Sequence, residues 1–356
     1  IAGYTGTTYN GAVTATLQGS ASNLVDNTGS LTTGDTITYK VVGDIAVGDL
    51  STLTGRTGAT DIDVSGSITG ALGDFYDIDN SNWEVKTNAY NNAKTHTGAT
   101  SAEPIALTTF EVASTGHITA LNKLFSEAEG AVTATITDTT GGDQLLAGAA
   151  SLTASTNDIV TVNLGTVTLD STAKKDELKK LADQYVSGGY GIKAITGEVT
   201  LSEAYCDLIG AFTKLTSANC GINFTLSDAV TVSQAKTLAN QTSGTVDYAQ
   251  GITGNLSTFA TASAVTSNFQ TAIDKDSTVN VTISDTVTDI DGVRALNKIE
   301  AKQTGTTTLT ATVSCNKTAI AALNSGSSGF VGQPLTVTIS DQMSISEFNT
   351  LDGQSN

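Results

Sequence analysis

Groups that carry chemistry are scarce in this chain. Its 356 residues include two histidines, three cysteines, one methionine and one tryptophan. No CxxC or Cys/His ligand spacing occurs, which argues against zinc. His96 and His117 have neither a nucleophile nor a partner acid at a recognised spacing. Aspartate is abundant, but abundance does not define a paired-carboxylate constellation. The reading is therefore no enzyme. Three cysteines make no disulfide framework. Cys206 and Cys315 fall at core positions of the pattern below, and a Cys206–Cys220 bridge stays open.

Positive charge is short as well. Seventeen Lys and Arg stand against 35 Asp and Glu, a net charge of −18. Phosphate backbones and anionic lipid surfaces would be repelled, so nucleic acid is excluded as a partner. A run of 18 apolar residues is absent, which excludes insertion into a membrane as a helix. An acidic surface poor in lysine suits a secreted protein in salty water. The chain starts at Ile1 with neither Met nor a signal sequence, as expected of a processed chain or a segment of a longer one. Aromatics at 5% and charged residues at 15% leave room for Gly, Thr, Ser and Asn, a balance that favours strands and turns over helical bundles.

What is present is one phrase, repeated. VTISDTVTDIDGVRALNKIEA, residues 281–301, alternates apolar and polar residues and then spaces Val293, Leu296 and Ile299 as on a helix. FTLSDAVTVSQAKTLAN from Phe224 and VTISDQMSISEFNTLDG from Val337 repeat it. Val112, Leu169, Leu226, Ile283 and Ile339 end the strand phrases at intervals of 57, 57, 57 and 56 residues. Leu124, Leu181 and Leu238 keep the same step in the helices, with Leu296 one residue late. A second strand–helix phrase, such as TLTATVSCNKTAIAALN at 308–324, sits midway through each unit. The elementary coil is thus about 28 residues.

One strand and one short helix cannot bury an apolar face alone. A helix between strands forbids hairpins, so successive strands run parallel. The expected fold is an elongated α/β repeat, a parallel strand–helix solenoid with a 57-residue double repeat and about thirteen coils. Coils are expected to start near Ala12, Thr36, Ile62, Trp83, Leu107, Val132, Val162, Ala194, Ile222, Val246, Val279, Leu309 and Leu335. Three regions follow: irregular coils over 1–72, an inserted loop region over 73–104, and regular double repeats over 105–356.

The phrase VTISDTVTDIDGVRALNKI resembles the tandem "(V/I)xISDTAANIxxxLxxL" repeats of very large secreted proteins of cyanobacteria and other Gram-negative bacteria. Fibre-like proteins of cyanophages carry similar repeats. The resemblance covers residues 106–356 well and the first hundred poorly, and this chain has VTD or VTV in place of AAN. It implies an extracellular or cell-surface scaffold, adhesin or filament, and it brings no catalytic residues.

Candidate sites are few. Asp74, Asp77, Asp79 and Glu84 in DFYDIDNSNWE, and Asp285, Asp289 and Asp291 in DTVTDIDG, are hard oxygen donors that could hold calcium. Neither stretch has the glycine turn of a compact calcium loop, and solvated carboxylates and helix caps are the competing reading. No other cofactor is expected. Asp228, Asp285 and Asp341 recur between strand and helix, where a carboxylate can cap the helix that follows. Outward threonines such as Thr225, Thr282, Thr336 and Thr338 could order water or accept sugars, and are equally good strand formers. Tyr76, Trp83 and Tyr90 in the 73–104 insertion are candidate contacts to a surface glycan or protein.

The first strand phrase has the pattern of the second half of a unit and the last phrase that of the first half. The expectation is self-assembly, head to tail, through Ala12, Val13 and Leu17 against Val337, Ile339 and Met343. A non-enzymatic filament, sheath or layer protein is the leading reading. The alternative is an adhesin or phage-fibre module that binds through residues 73–104.

Overall fold

The structure is a computed structural model. It describes residues 12–27, 34–56, 58–75, 105–108, 110–111, 115–128, 130–139, 143–148, 151–184, 191–204, 206, 217–324 and 333–352. The chain divides into two compact units, one of residues 1–165 and 180–195, the other of 166–179 and 196–356.

In chain order the elements begin with β1 (Thr14–Gly19), α1 (Ala21–Asn27), β2 (Thr36–Val41), β3 (Ile45–Ala46), α2 (Val47–Thr54), β4 (Ala59–Val64), β5 (Ile68–Gly70) and α3 (Leu72–Phe75). They continue with β6 (Ile105–Leu107), β7 (Phe110–Glu111), α4 (Thr115–Glu127), β8 (Val132–Thr137), α5 (Asp143–Gly148), β9 (Ile159–Leu169), α6 (Thr172–Gln184) and β10 (Ile192–Leu201). After these come β11 (Cys220–Leu226), β12 (Val230–Thr231), α7 (Val232–Gln241), β13 (Val246–Asp247), β14 (Ile252–Gly254), α8 (Leu256–Phe259) and α9 (Ser267–Ile273). The last are β15 (Val281–Val287), α10 (Ile290–Glu300), β16 (Leu309–Cys315), α11 (Lys317–Ile320), β17 (Leu335–Ile339) and α12 (Ile345–Asp352).

The class is α/β with parallel sheets. In the first unit β1, β2 and β4 form one sheet, while β3, β5, β6 and β8 belong to another. In the second unit β12, β14, β15, β16 and β17 lie side by side in chain order. Each strand meets its neighbour in parallel, 22 residues on for Thr14↔Thr36 and 28 residues on for Val281↔Leu309. Alternation explains the strands. Leu309, Ala311, Val313 and Cys315 of β16 are all buried, whereas Thr310, Thr312 and Ser314 point outward. In α10 the buried residues Val293, Leu296 and Ile299 form one face. Leu124, Leu181, Leu238 and Leu296 are each fully buried, as their shared phase requires.

Leu169, Leu226 and Ile283 are buried too, Ile339 is half-buried, and the side chain of Val112 lies outside the described residues. The pairing departs from a 57-residue step between β11 and β15. Hydrogen bonding puts Val230, Ile252, Val281 and Leu309 on one ladder, so Val281 does not answer to Phe224 and Ile283 stands opposite Gly254. The cause is a corner. The bend over 227–229 divides one phrase into β11 and β12, which join different sheets. In β15 the same Ser-Asp step is instead a bulge within a continuous strand, between Thr282 and Thr286. The coil expected at Trp83 lies outside the described residues. β5 pairs directly with β6, Ile68 opposite Ile105, so the pairing jumps 37 residues there.

Candidate functional site

Three expected features converge on the second unit: the recurrent Ser-Asp step, the 285–291 carboxylates and the β17 edge. Asp285 does not cap the helix that follows it. Its Oδ1 accepts the Leu256 N–H at 2.7 Å, the first N–H of α8, one coil earlier. Ser284 assists by donating from Oγ to Asn255 Oδ1 at 2.9 Å. Asp341 Oδ2 likewise accepts from Lys317 N, at the start of α11, at 3.3 Å. Asp228 Oδ2 accepts from Glu203 N at 3.4 Å. The expected cap is real in chemistry but reaches backward, to the helix one coil earlier. The following helix has its own cap, Thr231 with Gln234 in α7 and Asp289 with Gly292 in α10.

Strand starts are bonded in the same direction. Asp35 Oδ1 accepts from Val13 N at 2.9 Å, and Asp158 Oδ1 from Val132 N at 2.7 Å. Gln333 Oε1 takes the Leu309 N–H. Such bonds join residues 22 to 29 apart and tie one strand–helix segment to the next. For α8, whose N-cap Asn255 makes no side-chain cap bond, Asp285 is the substitute. Asp285→Ala is therefore expected to cost about 1–2 kcal/mol. Asp291→Ala, which removes only an exposed pair with Arg294 at 3.0 Å, should cost no more than about 0.5 kcal/mol. Urea midpoints of the two variants check the contrast.

The calcium candidates are dispersed among these duties. Asp285 serves α8, Asp289 accepts from Gly292 N at 2.7 Å, and Asp291 faces Arg294. Asp74 Oδ2 accepts from Ala71 N at 2.8 Å, at the start of α3. Asp77, Asp79 and Glu84 lie outside the described residues, as do Tyr76, Trp83, Tyr90 and His96. Among the described residues no group of three or more His, Cys, Asp or Glu side chains is gathered. The three cysteines are buried and form no disulfide with one another. Burial pushes the Cys220 and Cys315 thiols up, which makes them poor nucleophiles at neutral pH.

The β17 edge is different. Interior strands hide their inward residues, but in β17 Val337 is 42% exposed while Leu335 and Ile339 are only half-buried. On α12, Ile345 is 82% and Phe348 54% exposed. Both were missed by the sequence reading, although the apolar spacing in ISEFNTL signals them. Met343 is half-buried. α12 is held in place all the same. Glu347 accepts from Ser344 N at 2.7 Å, Ser344 Oγ accepts from Glu347 N, and Lys317 Nζ sits 2.9 Å from the Glu347 carboxylate. The Ser344 N–H first, and Lys317 after it, draw the Glu347 carboxyl down to about 2. At the β1 edge, Ala12 is exposed, Val13 just before the strand is half-buried, and so is Leu17 within it. Among the described residues, β1 pairs only with β2 and β17 only with β16.

No protein-family model matches the chain, and no curated protein or solved structure is significantly similar to it. No helix among the described residues is long and apolar enough to cross a membrane.

Proposed function

We propose that this is a non-enzymatic structural protein of the cell exterior. Its strand–helix coils stack as a parallel solenoid, and its copies add end to end to form or decorate a filament, sheath or layer. The observation that carries the reading is the outer edge of β17, which pairs with no strand among the described residues and carries exposed Val337 near exposed Ile345 and Phe348 of α12. Soluble proteins shield such edges with lysine, proline or bulges, and an unshielded one is a template for another strand. The net charge of −18 opposes side-by-side clumping while leaving end growth open. The resemblance of the Ser-Asp phrases to repeats of secreted bacterial proteins supports the exterior location. The reading needs no cofactor.

Sedimentation and negative-stain microscopy over a concentration series test it. The intact chain is expected to form filaments, and a chain lacking residues 335–356 to stay a folded monomer. An intact chain that remains monomeric at high concentration defeats the reading.

A further inference from the structure

We infer that the start of α8 is a latch, held shut by the bulge of β15 and released with it, and that the hold acts in one direction along the chain. When Ser284 and Asp285 let go, the helix before them opens, while α10, the helix after them, stays closed. The device belongs to the single chain and does not depend on end-to-end stacking.

Two consecutive residues of β15 make the hold. Asp285 Oδ1 accepts the first N–H of α8, and Ser284 Oγ donates to Asn255 Oδ1. Both residues lie in the bulge between Thr282 and Thr286, where neither has a partner opposite it on β16. Opening there leaves the paired residues on either side in register. Asn255 holds the N-cap position of α8 with extended backbone, φ −71° and ψ 146°, the conformation in which asparagine caps a helix itself. It makes no cap bond, since its acceptor is turned to Ser284. Asn316 shows the alternative. At similar angles, φ −69° and ψ 161°, its Oδ1 accepts from Ala319 N at 2.8 Å and caps α11. Asn255 is thus a cap in reserve, kept from its own helix while the latch is shut.

The direction follows from where the caps come from. Asp341 reaches back to Lys317 N of α11, and Asp228 reaches back to Glu203 N, as Asp285 reaches back to α8. The first turn of α10 is capped from within its own segment, by Asp289 through Gly292 N. A disturbance at Ser284 and Asp285 therefore strips α8 of its donor's partner and leaves α10 capped. α11 is less dependent, because Asn316 caps it as well and the Asp341 bond is longer, at 3.3 Å. At strand starts a bond of the opposite sense occurs, Asn280 Oδ1 accepting from Thr308 N at 2.9 Å, so the one-way rule concerns helix starts.

Amide hydrogen exchange of the intact chain under native conditions tests the latch. Ser284, Asp285 and Asp289 are exposed, so their substitution leaves the core in place, which circular dichroism checks. Asp285→Ala is expected to speed exchange in the first turn of α8 about tenfold, the size of a lost cap, and that of α10 by less than about twofold. Asp289→Ala should do the reverse. Ser284→Ala/Asp285→Ala frees Asn255 to cap α8, so its α8 amides should exchange about threefold more slowly than those of Asp285→Ala alone. Asp341→Ala should speed α11 by no more than about threefold, because Asn316 remains. Unchanged exchange in α8 of Asp285→Ala overturns the latch. Equal acceleration of α8 and α10 overturns its direction. A double variant that exchanges as fast as Asp285→Ala, or faster, overturns the reserve role of Asn255.

Discussion

Val313→Asp is expected to unfold the second unit at room temperature, whereas Thr312→Asp, one residue away, should leave it folded. Val313 is fully buried in β16, between Val287 of β15 and Val337 of β17. Replacing it forfeits about 1.5–3 kcal/mol of apolar burial. It also places a carboxylate where no partner exists, for at least another few kcal/mol. Together these approach the whole stability of an ordinary domain, about 5–15 kcal/mol. Thr312 is exposed on the opposite face of the same strand, and a charge there is hydrated. Its cost should stay within about 1 kcal/mol, chiefly from lower strand preference. Far-ultraviolet circular dichroism with urea titration reads both. Equal loss in the two variants would mean that the inward and outward faces of β16 are misassigned.

That contrast depends on alternation, the feature most legible in the sequence. Thr36 starts a strand, Val132 starts a strand, and Leu309 and Leu335 start strands, where the apolar pattern puts them. The helix positions Leu124, Leu181, Leu238 and Leu296 were equally readable, because helix period and burial report the same thing. The corners were not. A Ser-Asp step bends the chain into a second sheet after Leu226 but forms a bulge inside β15, and the local residues are nearly the same in both. The choice is made by the neighbouring coil, which one coil's sequence does not display. The direction of capping was hidden for the same reason. An aspartate between strand and helix lies near two helix starts, its own and the one before. Only the stacking distance decides, and Asp285 goes to Leu256 while Asp289 serves the helix that follows. At the candidate edge, Val337 and Ile339 were readable as strand residues, but the exposure of Ile345 and Phe348 depends on what lies above α12.

Among the described glycines, Gly165→Ala should be the costliest substitution, and Gly48→Ala should be stabilising. Gly165 lies within β9 at φ +62, in the left-handed region that side chains rarely adopt. A Cβ there would stand inside contact distance of the Asp138 carbonyl oxygen, which is backbone and cannot swing aside. The approach is fixed from both sides. Asn163 Oδ1 accepts from Gly165 N at 3.0 Å, and Asp138 N donates to Asn163 O at 3.0 Å. The Asp138 side chain is itself buried, accepting from Leu145 N at 2.8 Å to start α5. Moving Asp138 away to admit a methyl group would pull β8 from β9 and uncap α5. The left-handed backbone alone costs about 1–3 kcal/mol, and the displacement adds to it. A total of about 3–5 kcal/mol is expected, at the upper end of what single substitutions do. Gly48 differs in every respect. It lies inside α2, has no atom within 4 Å of a built Cβ, and does not have positive φ. Alanine there should add about 0.5–1 kcal/mol by reducing the freedom of the unfolded chain. Urea midpoints moving in opposite directions are the expected result. If Gly165→Ala is neutral, the left-handed backbone at Gly165 and its close approach to the Asp138 carbonyl are wrong.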